Sequence, residues 1–210
     1  VLRLPPDPNM RTRDALRREA RLQRQVSHPN LVGISSIVED ATLFALVSDF
    51  VDGTALRDVL ADSDGMDPDE ALPLVIQILD AVDRAHTLGL VHEALTPGEI
   101  LLSEATDGIV ARVTGFGLWR AAGGSVLSEQ NARYMAPELF EPAPRIDART
   151  DVFSLGCVIY EILAGRSAFD ARPALGDDGG PAYEPLAALV PRCPLVIAAV
   201  VERALELDPA

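Results

Sequence analysis

Between Leu90 and Leu118 the chain gathers the side chains best able to do chemistry: His92, Glu93 and Glu99 in one short run, then a Gly115-Phe116-Gly117 turn. A carboxylate can take a proton from a substrate hydroxyl or ligate a hard cation, so Glu93 is a candidate base and Glu99 a candidate cation ligand. The positions between them offer less. Ala94 cannot accept a proton, Thr96 carries no charge, and Gly115 cannot ligate a metal. His86 stands alone near the end of an apolar stretch, where a packed or dipole-satisfying role is expected over ligation. Cys157 and Cys193 lack the paired spacing of a metal site or disulfide framework and are expected to be buried free thiols.

The 210 residues suffice for one domain with a sizeable core, or for two small lobes. With 48% hydrophobic and 24% charged residues, the composition is that of an ordinary soluble globular protein. The net charge of −14 argues against a nucleic-acid face, because phosphate contacts need clustered cations. All 18 basic residues are arginine, so no ammonium group is available to grip a β- or γ-phosphate. No apolar run reaches bilayer length and no charged-then-apolar leader is present, so a cytoplasmic domain is expected, with no membrane segment in this stretch. Starting at Val1, the chain is read as a piece of a larger protein that could itself be membrane-anchored.

Several elements must hold the 92–117 stretch in place. Val1 to Leu4 is strand-like and is ended by Pro5, Pro6 and Pro8. From Arg11 to Val26 the spacing of Ala15, Leu16, Ala20, Leu22 and Val26 predicts a helix with one buried stripe, closed by His28-Pro29-Asn30. Leu31 to Val38 and Thr42 to Phe50 read as an antiparallel strand pair. After a short helix over 55–60 and an acidic loop, Pro68 and Asp69-Glu70 open a long helix reaching Leu88, with Leu72, Val75, Ile76, Leu79 and Val82 as its buried face. A polar segment runs to Asn131, and an apolar helix spans Asp151 to Gly165. Beyond it, 170–185 reads as a loop, and a helical pattern from Leu186 to Leu207 is broken by Pro191 and Pro194.

Taken in order, His28-Pro29-Asn30, Val91-His92, Gly115-Phe116-Gly117, Tyr134-Met135-Ala136-Pro137-Glu138 and Asp151-Val152-Phe153-Ser154-Leu155-Gly156 resemble the motif series of eukaryotic-type protein kinases, in their bacterial Ser/Thr form. The resemblance implies an α+β, bilobal kinase-like fold: a partial small β-rich lobe over 1–50, with a regulatory helix and strand pair, and a mainly helical large lobe over 51–210. It also implies replacements. The family's catalytic loop reads His-Arg-Asp-Leu-Lys-Pro-x-Asn and its metal turn Asp-Phe-Gly; here Ala94 stands at the catalytic Asp, Thr96 at the Lys, Glu99 at the metal-binding Asn and Gly115 at the magnesium Asp. Glu93 takes the place of an Arg that points toward the activation segment.

Other positions follow from the same likeness. Glu19 matches the acid of the regulatory helix, and Gln23 falls where an apolar residue joins the lobes through a stack that would include Ile34, His92 and Phe116. Asp151 is implied as a buried carboxylate accepting backbone N–H bonds from the catalytic loop, and Glu138 closes the activation segment. Asp49 to Gly53 resembles the interlobe hinge; Ser48, Asp49, Val51 and Leu101 outline a candidate adenine pocket. The expectation is a catalytically inactive pseudokinase, a regulatory or scaffolding signalling module with a protein partner and no bound metal. ATP without magnesium is the one cofactor left open. The alternatives are an unconventional Ser/Thr kinase working through Glu93 or Glu99 and a sensor that binds ATP without metal.

Overall fold

Short strands near the start of the chain pair into one sheet and strands around the 92–99 loop into another, with helices filling the space below. The computed structural model describes residues 2–3, 10–39, 44–106, 108–116, 129–174 and 182–208. Leu2–Arg3 (β1), Ile34–Glu39 (β2) and Phe44–Ser48 (β3) form an antiparallel sheet ordered β1-β3-β2, with Ala45 and Leu46 of the central strand buried. Met10–Gln23 (α1) lies against β2, where Arg17 forks onto the Glu39 carboxylate at 2.6 and 3.0 Å. The helix is shorter than the 11–26 span expected. It tightens after Gln23 through bonds from Gln25 N to the Leu22 carbonyl and Val26 N to that of Gln23, as a chain approaching Pro29 must leave helical geometry.

Thr54–Ala55 (β4), Ile100–Ala105 (β5) and Gly108–Val113 (β6) make the second antiparallel sheet, ordered β4-β5-β6. Ile100 and Leu102 on β5 and Ala111 and Val113 on β6 are buried, the period-2 signature of a sheet with one covered face. The open edge of β6 is closed by the segment that follows α1: Val113 N donates to the Asn30 carbonyl at 2.8 Å and Val32 N to the Val113 carbonyl at 2.9 Å.

The helical body comprises Leu56–Leu60 (α2), Pro68–His86 (α3), Glu129–Ala132 (α4), Ala148–Ala164 (α5), Leu186–Leu189 (α6) and Leu195–Ala204 (α7). Helix α3 starts on the Asp67 side chain, which accepts from Asp69 N at 3.1 Å, with Pro68 in its first turn. Its buried face is Ala71, Leu74, Val75, Ile78, Ala81, Val82 and Ala85, which corrects the expected stripe: Ile76 and Leu79 are 55% and 40% exposed. Ala71, Ala81 and Ala85 share helical spacing with Leu74, Val75, Ile78 and Val82, and counting them as apolar turns the stripe away from Ile76 and Leu79. Helix α5 is buried along nearly its whole length, begins on the Asp147 side chain and ends at Gly165 with φ +69°. A Cβ on Gly165 would lie 2.2 Å from the Asp64 carbonyl carbon, so only glycine fits there. Cys157 and Cys193 are buried free thiols, and burial pushes both up from their ordinary pKa. Among the described residues no helix is long and apolar enough to cross a membrane.

Candidate functional site

The 92–99 loop is held from below by α5. Asp151, in the first turn of that helix and with no exposed surface, accepts from His92 N at 2.7 Å through Oδ2 and from Glu93 N at 2.8 Å through Oδ1. His86 at the end of α3 lies 2.7 Å from the same Oδ2; a carboxylate only accepts, so the imidazole donates through Nε2. Three donors on one buried carboxylate make charge-assisted bonds, each stronger than a neutral one. His92 in turn donates from Nε2 to the Thr114 carbonyl at 2.7 Å and packs its ring on Phe116 at 4.7 Å. Between these anchors Glu93 adopts φ +74°, a left-handed conformation costly for a non-glycine residue, and is only 3% exposed. Glu93 therefore does not face solvent as a substrate base would.

The loop then turns tightly. The Thr96 hydroxyl accepts from Gly98 N at 3.1 Å, starting a 3-10 turn over Pro97–Glu99, and Thr114 N donates to the Glu99 carbonyl at 2.9 Å. That turn lays the Glu99 side chain against Gly115, whose φ is +89°: a Cβ on Gly115 would meet Glu99 Oε2 at 2.5 Å. The Glu99 carboxylate thus fills the volume a side chain at 115 would take. Burial raises the Glu99 carboxyl above its ordinary pKa, opposed by the nearby His92 and Arg57. The Arg57 guanidinium covers the outside of the turn, 2.9 Å from where a Cβ on Gly98 would sit. Ala94, half-buried, adds no polar side-chain atom. Among the described residues no three His, Cys, Asp or Glu side chains are grouped to hold a metal ion.

Helix α1 and the turn that follows it are tied to this site by polar groups. The Gln23 amide donates to the Phe116 carbonyl, from the helix position where an apolar contact is the family's pattern. Glu19 is on α1 too, its side chain outside the described ones. Ile34 begins β2, half-buried and paired with Ser48. Asn30 donates from Nδ2 to the Ala111 carbonyl and to Gln77 Oε1, both at 2.8 Å. Further along, Glu138 accepts from the Thr150 hydroxyl at 2.7 Å. Arg57 and Gln77 were not singled out from sequence, and Asn30 was read only as part of the turn closing the first helix; an amide inside an apolar helix was the available signal for Gln77. Residues 117–128 lie outside the described ones.

Next to residues 49–52 is a cavity of about 340 Å³. Asp49 and Val51 line it, whereas Ser48 and Leu101, the other two expected adenine contacts, do not. Leu101 is half-buried and pairs with Ala55 in the second sheet.

The family model of the protein kinase domain matches residues 5–177. The serine/threonine-protein kinase PknB of Mycobacterium leprae is 35% identical over 173 residues, which cover 78% of this chain and 27% of that protein. The serine/threonine-protein kinase pkn2 of Myxococcus xanthus is 34% identical over 164 residues, covering 75% and 20% respectively. The chain thus spans only 20–27% of the length of these curated relatives. Among solved structures, the kinase domain of PknI from Mycobacterium tuberculosis matches with a TM-score of 0.74 and 25% identity, over 96% of this chain and 73% of that one. Rad53 in complex with AMP-PNP gives 0.73 and 26%, over 93% and 51%.

Proposed function

From the premise that this chain belongs to the protein kinase family and has its α+β bilobal fold, we propose that it is a catalytically inactive member, a pseudokinase, serving as a regulatory or scaffolding signalling module for a protein partner. Residues 1–50 form the partial small lobe in this reading and 51–210 the large one. The observation that carries it is the Glu99–Gly115 contact. Phosphoryl transfer needs a group to receive the hydroxyl proton and oxygen ligands that clamp magnesium between phosphates. Position 94 offers no acceptor, and position 115 has no side chain. The space beside it is occupied by a carboxyl whose burial works against its ionised, ligating form. The residues present do not fit a magnesium–phosphate clamp.

Two rivals are separated by one experiment. Thermal unfolding is followed with ATP, with and without magnesium, and radiolabel transfer from ATP is measured in parallel, since a ligand bound to the native state raises stability by mass action. The proposal expects no transfer. A shift without magnesium assigns the module to nucleotide sensing. A magnesium-dependent shift with transfer that Glu99→Ala abolishes makes the chain an unconventional kinase and overturns the proposal.

A further inference from the structure

Charge is unevenly spread along the chain. Residues 1–30 hold seven of the 18 arginines and three of the 32 acids, a balance of +4 against −18 for the rest of the chain. Helix α1 concentrates it: Arg17, Arg21 and Arg24 follow i, i+4, i+7 spacing on the side away from Gln23, with Arg18 beside them. Arg24 N still donates to the Ala20 carbonyl at 3.1 Å, so Arg24 continues the helical row. Arg17 is taken by Asp14 and Glu39, both at 2.6 Å. Arg18, Arg21 and Arg24 are exposed, and none has a carboxylate partner among the described residues. Like charges three and four residues apart disfavour a helix, and the dipole at its C-terminal end offsets this only over the last turn. A chain this acidic has thus left a row of cations uncompensated.

We propose that this row docks an acidic segment of a partner protein, whose carboxylates are forked by Arg18, Arg21 and Arg24. Arg17 shows the geometry: its guanidinium holds both oxygens of Glu39 at 2.6 and 3.0 Å, the bidentate pairing for which arginine is better suited than lysine. Reach selects the occupant. From residue 17 to residue 24 the row is about 10 Å long, close to the screening length of about 8 Å at physiological salt. A short acidic segment fits within it, whereas a nucleic-acid duplex or an anionic bilayer extends past it to the −18 of the remaining chain and is repelled. The row is not part of the 92–117 site, so the inference goes beyond the inactive reading and stands whether or not phosphate is transferred.

The probe is a short fluorescent peptide alternating glutamate and serine, titrated into the full chain at low salt without nucleotide and read by anisotropy. Saturable binding is expected, weakened roughly tenfold by the triple variant Arg18→Gln/Arg21→Gln/Arg24→Gln. The triple Arg84→Gln/Arg145→Gln/Arg203→Gln removes as much charge from exposed positions elsewhere and leaves binding unchanged. The first triple also relieves the like-charge row, so it melts no lower than the unmodified chain. A lower melting temperature would mean that these arginines hold the fold together, and overturns the proposal. Equal weakening by both triples, equal binding of a lysine–serine peptide, or no saturation does the same. Tighter binding of a thymidine oligonucleotide of matched charge, or of phosphatidylserine vesicles, overturns it by assigning the face to another class of partner. Self-association that the first triple abolishes overturns it by assigning the face to a second copy of the chain.

Discussion

The Glu99 carboxylate lies where a side chain on Gly115 would have to go, with Oε2 2.5 Å from an added Cβ. Restoring a carboxylate at 115 alone therefore forces a clash and places a non-glycine residue at φ +89°. Gly115→Asp is expected to cost about 2 kcal/mol in urea unfolding. Adding Glu99→Asn removes the obstructing group, so the double variant recovers about 1 kcal/mol of that loss. Strictly additive effects of the two changes would show that the residues do not compete for space.

The same contact predicts a pH dependence. Burial raises the Glu99 carboxyl from its ordinary value of 4.5, so the native state binds more protons than the unfolded chain in the interval above that value. The stability contribution is fully present below the ordinary value and is lost as pH rises through the raised one. Glu99→Gln keeps the shape and cannot titrate. Its melting temperature is expected to match the wild type near pH 4 and to exceed it increasingly toward neutrality; parallel melting curves across that range contradict the assignment.

The fold was legible because its motifs are local: His-Pro-Asn, Gly-Phe-Gly and Ala-Pro-Glu each sit in one short run, and their order identifies the architecture. The role of Asp151 was legible only through the kinase resemblance of the Asp151–Gly156 motif, whereas its sharing with His86 joins residues on different helices and has no local signal. The contact of Glu99 with Gly115 also escaped, because it depends on how the 3-10 turn aims one side chain past the β5–β6 hairpin. On α3, periodicity alone could not tell the alanine face from the Ile76 and Leu79 face, since both keep helical spacing.

Removing the shared acceptor should be severe. Asp151→Ala leaves His92 N and Glu93 N buried without their carboxylate, and His86 without its partner. A cost of about 3 kcal/mol is expected in chemical unfolding. His86→Ala, which leaves both backbone bonds in place, should cost about 1 kcal/mol. If the two substitutions cost the same, the loop is not held through Asp151.

Strand β6 forms the edge of its sheet, and an edge leaves every second N–H and C=O without a ladder partner. Gln77 takes up two of these groups from α3: its Oε1 accepts from Ala111 N at 3.0 Å, and its Nε2 donates to the Ile109 carbonyl at 3.1 Å. Its Oε1 also accepts from the Asn30 amide, so one side chain ties helix, sheet edge and the turn after α1. Gln77→Leu keeps the volume and strips these bonds, which should cost about 2 kcal/mol. The loss is expected to be local before it is global, with the Ala111 amide exchanging with deuterium faster than amides in the middle of α5. Unchanged protection at Ala111 would mean that the backbone bonds between Val113 and residues 30–32 alone hold this edge.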